Sequence, residues 1–282
     1  MFDSGTGFLM LHALSPKTFL KNFQVSAKNQ RMKPDNKIET ERLSKAMNDT
    51  PMNNFSDQGQ KEPPLCLLSL SGGMDSAVLF TYSLTQYQGR VLAVNFFYGS
   101  KHNEFEQDCA RKLCEKYSTE LIQIDLSGVG KNLSSSLLTS GGEIPEGRYN
   151  EESMKSTVVP ARNMIFISIL ASLAESKGVS IVSLGNHAGD HAIYPDCTPE
   201  FFFAMRKAIW EGTGKKVRFT APLLYMTKTE ILKYGLEHGT PFELTRTCYK
   251  DQALSCGKCR ACTERLEAFE ALKIKDPINY EN

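Results

Sequence analysis

From Leu65 onward, short apolar runs alternate with longer stretches in which apolar residues recur at helical spacing. The short runs predict buried strands at Leu65–Leu70, Val91–Phe97, Glu120–Asp125 and Ser180–Leu184. The longer patterns predict helices at Ser76–Thr85, Asn103–Tyr117 and Ala161–Lys177. Strands that alternate with helices are typical of a parallel sheet covered by helices. We therefore predict an α/β fold with a doubly wound, mostly parallel sheet, whose ligand crevice lies at the carboxyl ends of the strands.

Two segments lack this alternation. Residues 1–62 are polar and rich in Asn, Lys, Ser and Met, and we expect a disordered extension there. A transit peptide would be nearly free of acidic residues, and this segment contains Asp3, Asp35, Glu39 and Glu41, whereas an amphipathic docking segment stays open. The stretch Ser127–Glu152 is rich in Ser and Gly and predicts a long loop, which is either a functional lid or disordered. We predict an α/β domain at 63–240 and a small C-terminal segment at 241–282.

Composition and charge limit the classes of function. With 282 residues, of which 41% are hydrophobic, the chain is long enough to bury a substantial core. Its formal net charge of +1 gives no reason to expect a nucleic-acid or membrane surface. No run approaches the roughly 18 to 20 apolar residues that a membrane span needs. We expect a cytoplasmic protein that acts on small molecules, without a membrane or a stable nucleic-acid partner.

A glycine-rich loop follows the first predicted strand. Ser71-Gly-Gly-Met-Asp-Ser76 lies where this strand turns into a helix, so backbone N–H groups and the helix dipole favour an anion there. Gly72 and Gly73 allow close approach to a phosphate, and Ser71 and Ser76 add hydroxyl donors. The loop lacks the Lys and the GK[ST] ending of a Walker loop, which disfavours simple γ-phosphate transfer. The alternative to an anion site is an ordinary glycine-rich turn between a strand and a helix.

Four of the eight cysteines form a second motif. Cys248, Cys256, Cys259 and Cys262 have the spacing C-x7-C-x2-C-x2-C, and each two-residue gap lets neighbouring thiolates face one tetrahedral ion. Four sulfur ligands leave no open position, so we predict a structural Zn²⁺ that holds together a small helical zinc-binding segment. An iron–sulfur cluster or unliganded thiols are the alternatives. Cysteines clustered in this way favour a metal site in a reducing compartment over a disulfide framework.

These motifs and others carry a resemblance to a known family. The glycine loop resembles the pyrophosphate loop of the N-type ATP pyrophosphatases, which have an adenine nucleotide α-hydrolase-like fold. The further motifs are similar to the 7-cyano-7-deazaguanine synthases, the QueC family, in order from about Pro64 to Tyr280. They are the segments Phe97–His102, Val159–Asn163, Tyr194–Phe201 and Thr247–Tyr249 together with the cysteine cluster.

The resemblance implies a function. It implies a carbon–nitrogen ligase that uses ATP, Mg²⁺ and ammonia to convert 7-carboxy-7-deazaguanine into its nitrile, on the route to queuosine-type bases. Family members resemble homodimers, so a homodimer is expected. The implied residues of the ATP site are Leu70, Ser71, Gly72, Gly73, Met74, Asp75, Ser76, Ala77, Val78, Leu79 and Phe80, with Asp75 at the Mg²⁺–pyrophosphate end.

At several positions the residue differs from the one that is common in the family. Ser100-Lys101 stands where Gln-Arg is common, Ala161 where Gly is common, and Thr198 where Arg is common. We expect these changes to affect the substrate pocket and the product more than the fold.

Asp75, Ser76 and Arg162 are our candidate catalytic residues, and Arg162, Asp190 and Asp196 are our candidate substrate ligands. The planar fork of Arg162 suits a carboxylate or a phosphate, although it could also be a surface arginine at a helix start. Asp190 and Asp196 follow the fourth strand and could bind the guanine-like N1–H and 2-amino edge, or simply form turns.

Three other groups of residues are further candidates for the site. His187 and His191 could assist proton transfer, but structural hydrogen bonding is the simpler interpretation. Cys197 could be a nucleophile or a small buried residue. One ring among Phe96, Phe97 and Tyr98 could cover adenine, with core packing as the alternative.

The alternatives to the deazapurine ligase are a related pyrophosphatase that modifies tRNA, DNA or a protein, and an amide synthetase that stops before the nitrile. A macromolecule-binding zinc segment would need basic residues, and the segment contains Lys250, Lys258, Arg260 and Arg265.

Overall fold

The computed structural model describes residues 65–146, 155–187 and 194–281. In this part of the chain, parallel strands form a five-stranded sheet in the order β3-β2-β1-β4-β5. The strands are β1 (Cys66–Ser69), β2 (Val91–Phe97), β3 (Leu121–Asp125), β4 (Ile181–Ser183) and β5 (Arg218–Thr220). The four predicted strands are confirmed. The sequence did not predict β5, because three residues are too few to show a periodic pattern.

Helices connect these strands. They are α1 (Met74–Gln86), α2 (Asn103–Lys116), α3 (Ser127–Gly130), α4 (Arg162–Lys177), α5 (Pro199–Gly212), α6 (Lys228–Glu237) and α7 (Arg260–Ala271). The three predicted helices correspond to α1, α2 and α4. In the described residues, no helix combines the length and the apolar character needed to cross a membrane.

Helices α5, α6 and α7 were missed in the sequence, although two of them begin with recognisable caps. The Thr198 hydroxyl accepts the N–H of Phe201, and Thr227 and Glu230 form a reciprocal capping box. The predicted loop Ser127–Glu152 needs a correction, since it begins with the one-turn helix α3. From there to residue 146 the chain has no further helix or strand, and residues 147–152 lie outside the described residues.

The sheet is buried on both faces, as expected for a doubly wound fold. Leu67 of β1 packs with Val94 of β2 and Ile167 and Leu170 of α4 on one face. Cys66 and Leu68 pack on the other face, together with residues of α1, α2 and α6. Successive β1 side chains therefore enter different halves of the core, which explains why the strand is an unbroken apolar run.

The strand order places a topological switch point beside β1. The chain leaves β1 toward β2 and β3 on one side, whereas β4 and β5 lie on the other side. In such sheets the carboxyl ends of the two strands that flank the switch open into a crevice. Here the glycine loop follows β1 and Gly185 follows β4. An added Cβ at Gly185 would lie 3.3 Å from the Asp75 carbonyl oxygen, so the two segments are close neighbours.

The C-terminal segment is held together by a buried ion pair. Arg265 of α7 is fully buried, and its Nε and Nη2 atoms donate to the two carboxylate oxygens of Asp276 at 2.7 and 2.9 Å. The remaining guanidinium protons are donated to the hydroxyls of Thr245 and Thr247 and to the Phe242 carbonyl. The Tyr280 hydroxyl also donates to Asp276. All polar atoms of this buried pair thus have partners, as a low-dielectric interior requires.

Candidate active site and metal centre

The loop after β1 is shaped by its glycines and serines. Gly72 has a φ of 92°, and a Cβ there would lie 2.4 Å from the Glu106 carbonyl oxygen, so only glycine fits. The Ser76 hydroxyl accepts the Gly72 N–H and donates to the Gly73 carbonyl, and it also bonds to the Ser71 hydroxyl at 3.0 Å. The loop is therefore a fixed turn before the amino terminus of α1, and no side chain caps that terminus. Free backbone N–H groups at such a terminus attract anions.

Asp75 lies at this terminus and faces the side chains of Lys228 and His187. Its Oδ2 atom is 2.6 Å from Nζ of Lys228 and 3.8 Å from Nε2 of His187. Burial opposes its ionisation, but Lys228 and His187 overcome that effect and hold the pKa of Asp75 below its ordinary value. Its Oδ1 atom is buried and has no hydrogen-bond partner in the described residues. The carboxylate is thus charged and has one oxygen available to a cation that enters the site.

A cavity of about 250 Å³ extends from this loop along the switch point. Its wall includes Ser71, Gly73, Met74, Asp75, Ser76, Tyr98, His102, Glu106, Arg162, Asn163, Asn186, His187, Asp196, Lys228, Arg246, Arg260 and Glu264. Residues from the ends of β1, β2 and β4 and from the C-terminal segment therefore share one space. Its mixture of apolar residues and convergent polar groups is typical of a small-molecule site.

The structure brings only part of the predicted ATP segment to this cavity. Leu70, Ala77, Val78, Leu79 and Phe80 are fully buried in the hydrophobic core, and none of them is part of the cavity wall. Beyond Ser76, α1 packs against both the sheet and α6, and this packing buries the side chains. Our candidate ATP-binding side chains therefore narrow to Ser71, Met74, Asp75 and Ser76, with the backbone of the glycines.

Arg162 is part of the same cavity wall as the glycine loop. Its Nη1 atom donates to the Tyr98 hydroxyl at 3.3 Å, and its guanidinium lies 5.8 Å from the centre of the Tyr98 ring. Ala161, immediately before it, has a left-handed φ of 50°. The chain therefore turns sharply into α4 just before the arginine, and the guanidinium points into the cavity. Arg162 is not the surface arginine of the alternative interpretation.

The other substrate candidates have different surroundings. Asp196 is part of the cavity wall, but its Oδ2 accepts the Asn163 N–H at 2.8 Å and so satisfies a free donor at the start of α4. Asn163 also donates to the sulfur of Cys197 at 3.3 Å. His187 contributes to the electrostatics of Asp75, as given above. Asp190 and His191 lie outside the described residues.

Two of the three aromatic candidates are packed against the core. The Phe96 ring stacks on Phe166 with a centroid distance of 4.2 Å, and Tyr98 meets the same ring edge-on at 5.5 Å. Both are part of the cavity wall, whereas Phe97 is not. These contacts favour core packing as the role of both rings.

The four clustered cysteines come together as their spacing predicts. The sulfurs of Cys248, Cys256, Cys259 and Cys262 all lie within 4.8 Å of one another, and all four residues are buried. A tetrahedral ion with bonds of about 2.3 Å would place its sulfur ligands roughly 3.8 Å apart. Gly257 has a φ of 68°, and the N–H groups of Lys258 and Cys259 donate to the Cys256 sulfur. These residues could hold one metal ion.

Arg246 connects this cluster to the glycine loop. Its backbone N–H donates to the Gly72 carbonyl at 2.9 Å. Its guanidinium donates to the carbonyls of Lys250, Gln252 and Ala253, which lie between the first two cysteines of the cluster. The folding of the cysteine segment and the position of the loop are therefore joined through one residue.

Sequence reasoning missed Lys228, Glu106 and Arg246. A lysine at the first position of α6 opposes the helix dipole, which is a signal that it serves another purpose. Glu106 precedes Ala110 and Leu113 by four and seven residues, so a carboxylate lies in the buried stripe of α2. For Arg246 we find no signal in the sequence, because its partners are backbone carbonyls.

Comparisons with known proteins agree with the motifs. A family described as "Queuosine biosynthesis protein QueC" matches residues 65–273. A 7-cyano-7-deazaguanine synthase from Porphyromonas gingivalis is 45% identical over 218 residues, which cover 76% of this chain and 96% of that protein. One from Desulfotalea psychrophila is 48% identical over 214 residues, covering 76% and 97%. The U34-tRNA thiolase NcsA from Methanococcus maripaludis aligns at 17% identity with a TM-score of 0.43, covering 82% of this chain and 72% of that one.

Proposed function

The chain belongs to the QueC family of queuosine biosynthesis proteins, and from this premise we propose how its cavity carries out the family's reaction. The chain acts as an ATP-dependent carbon–nitrogen ligase that converts 7-carboxy-7-deazaguanine and ammonia into 7-cyano-7-deazaguanine. The observation that carries the proposal is the shared cavity, in which the anion-binding loop with Asp75 and Lys228 and the guanidinium of Arg162 line one space.

The loop side of the cavity binds the nucleotide. The N–H groups at the start of α1 and the hydroxyl of Ser71 accommodate phosphate oxygens, while Lys228 supplies a positive charge beside them. Asp75 fits a Mg²⁺ ligand, because it is ionised and its Oδ1 atom has no partner among the described residues. When bound, Mg²⁺ neutralises charge on the phosphates. Ser76 keeps the loop in the shape that these contacts need.

The opposite side of the cavity binds the acceptor. Arg162 holds the carboxylate of the deazapurine so that one oxygen faces the nucleotide. Asp196 retains one carboxylate oxygen without a described contact and can accept an N–H of the guanine-like edge, and Asp190 is proposed for the same edge from the resemblance.

The cysteine cluster fits a structural Zn²⁺, since four buried sulfurs leave no coordination position for a substrate. In our proposal residues 63–240 form the ATP-pyrophosphatase domain and residues 241–282 the zinc-binding segment, which supplies Arg260 and Glu264 to the cavity wall. We further propose, from the resemblance alone, that the chain is a cytoplasmic homodimer.

The decisive experiment is ATP–pyrophosphate exchange with different acceptors. We expect exchange that depends on 7-carboxy-7-deazaguanine, and none that depends on tRNA, DNA or a protein. Exchange that requires a macromolecule would replace this proposal with the macromolecule-modifying alternative. Chromatography of the deazapurine products then distinguishes the nitrile from an amide as the final product.

A further inference from the structure

Glu106 is a cavity residue to which the description above assigns no role. It lies near the start of α2, and only 15% of its side chain is exposed. Its backbone carbonyl is next to Gly72 of the nucleotide loop, since a Cβ on Gly72 would lie 2.4 Å from that oxygen. The carboxylate therefore faces the cavity from directly behind the loop at which adenylation takes place.

In the part of the chain that the structure describes, the Glu106 carboxylate accepts no hydrogen bond. Among the described residues its ion-pair partner is His102, whose Nε2 atom lies 3.7 Å from Oε2, which is too long for a hydrogen bond. A buried carboxylate without donors is costly, and a ligand that brings N–H groups into the cavity would remove that cost. These surroundings favour a role for Glu106 in contact with a ligand over a role in stabilising the fold.

Burial leaves the Glu106 carboxylate basic. Burial raises its pKa to about 8, against the opposing influence of Arg162 and Arg246. His102 cannot neutralise it, because burial and Arg162 lower the pKa of that imidazole to about 4. The neighbouring thiol of Cys109 is also uncharged near neutral pH, since burial raises its pKa to about 11. A carboxylate of this basicity can take up and release a proton near neutral pH.

The reaction requires such a group, and this step of the argument rests on the proposed function. When ammonia adds to the acyl-adenylate, its lone pair forms the C–N bond. The C–O bond to AMP then breaks with its electrons on the phosphate oxygen, and the nitrogen loses one proton. The resulting amide is adenylated on oxygen, which leaves a positively charged C=NH₂ group. Loss of one proton restores the nitrogen lone pair, and loss of the second gives the electron pair of the third C–N bond as AMP departs. Three protons therefore leave the nitrogen for each nitrile formed.

We propose that the Glu106 carboxylate accepts these protons, first as ammonia adds to the acyl-adenylate and then as the adenylated amide collapses to the nitrile. It takes one proton at a time and passes each one to solvent through the open side of the cavity. Adenylation itself removes no proton from nitrogen and does not need Glu106. The two halves of the reaction are thus separable by experiment.

The test is Glu106→Gln, which keeps the size of the side chain and removes its basicity. We expect ATP–pyrophosphate exchange with 7-carboxy-7-deazaguanine to stay within about twofold of wild type, and amide and nitrile formation to fall by about 10²- to 10⁴-fold. In wild type, kcat for amide formation rises with pH as Glu106 loses its proton, and this rise disappears in the variant. Glu106→Asp restores part of the rate and the pH dependence. Glu104→Gln, in the same turn but exposed, is the matched control and behaves as wild type.

The other possible results would contradict either the proton-acceptor role of Glu106 or the proposed function. An increased KM for the deazapurine with unchanged kcat and pH profile in Glu106→Gln would mean that the carboxylate binds the ring, and the proton-acceptor role would be wrong. If Glu106→Gln does not fold, Glu106→Asp is the test variant. A wild-type rate and pH profile in Glu106→Asp would also show that the proton-acceptor role is wrong. Absence of deazapurine-dependent exchange by the wild-type chain overturns the proposed function itself.

Discussion

The Nζ atom of Lys228 lies 2.6 Å from the Oδ2 atom of Asp75, although the two residues are 153 positions apart in the chain. Asp75 is in the first turn of α1 and Lys228 begins α6, so the pair joins two helix amino termini at the carboxyl edge of the sheet. The lysine holds the pKa of Asp75 low and occupies only one of its two oxygens. The pair therefore presents a negative and a positive group to the same ligand.

From this relationship we predict a loss of activity when either residue is replaced. Asp75→Asn abolishes ATP turnover while the fold persists, because the charged oxygen is lost without a change in size. Lys228→Met lowers kcat by about 10²- to 10³-fold, as is typical when one positive group is removed from a site of charge development. Pyrophosphate release measures both effects, and circular dichroism checks the fold. Lys233→Met, on the exposed side of α6, is the control. Near-normal pyrophosphate release by Asp75→Asn would refute our assignment.

The sequence predicted the loop of Asp75 but not its partner, and the difference has a physical cause. Ser71–Ser76 is recognisable because strand, glycines and helix are contiguous, so local geometry alone creates the anion site. Lys228 reaches the same point only through the parallel pairing of β4 and β5, of which β5 is too short to recognise. The same holds for Glu106, whose position in the buried stripe of α2 was visible although the cavity it faces was not.

For the cysteine cluster, in contrast, the spacing of the residues in the sequence was sufficient to predict that they come together. Two-residue gaps bring Cys256, Cys259 and Cys262 to one point whatever the rest of the fold does. The link from this cluster to the glycine loop through Arg246 was not predictable, because a guanidinium bound to backbone carbonyls has no sequence signature.

We predict one tightly bound Zn²⁺ per chain. Structural zinc contributes roughly 10 to 16 kcal/mol in small modules, so its removal by a chelator unfolds the C-terminal segment. Because Arg246 joins this segment to Gly72, we also expect ATP binding to weaken when the metal is lost. Elemental analysis and nucleotide titration measure the two effects. Cys256→Ser loses the metal and Cys114→Ser, outside the cluster, retains it. Iron in place of zinc, or a stable active protein without metal, would contradict the prediction.

The buried Arg265–Asp276 pair gives a prediction about stability. Arg265→Met leaves the Asp276 carboxylate in the interior without its main partner, which typically costs about 3 to 5 kcal/mol. We expect the double variant Arg265→Met/Asp276→Leu to be less destabilised than the sum of the single variants. Urea unfolding of the zinc-bound protein provides the free energies. The exposed pair Lys207–Glu211 is the control, and its disruption should leave the unfolding midpoint nearly unchanged. Additive losses at Arg265 and Asp276 would show that the two residues do not act as a unit.

Ala161 is one of the positions at which the resemblance implies a departure from the family, and its backbone conformation is unfavourable for a residue with a Cβ. Its φ of 50° is left-handed, which costs a residue with a Cβ about 1 kcal/mol or more. We expect Ala161→Gly to raise the free energy of unfolding by about 0.5 to 1 kcal/mol. Gly178, at the other end of α4, has a φ of 67° and open space around it. Gly178→Ala is therefore the reverse substitution and should lower the free energy of unfolding by a similar amount. A loss of stability in Ala161→Gly would mean that the strain is compensated locally.

The last prediction concerns the ratio of ATP consumed to nitrile formed. A carboxylate oxygen is a poor leaving group, so attack by ammonia requires an acyl-adenylate and the release of pyrophosphate, and the first product is an amide. An amide oxygen leaves no more readily, so the nitrile requires a second activation of the same kind. The loop with Asp75 and the wall with Arg162 share one cavity, so both rounds can take place while the deazapurine stays bound and ATP is replaced. We therefore expect two AMP and two pyrophosphate per nitrile, with the amide detectable early and accepted as a substrate. Chromatography of AMP against the deazapurine products measures this ratio. One AMP per turnover with the amide as the final product would mean that the chain is an amide synthetase, and Ser100, Ala161 and Thr198 would be the first positions to exchange for the residues common in the family.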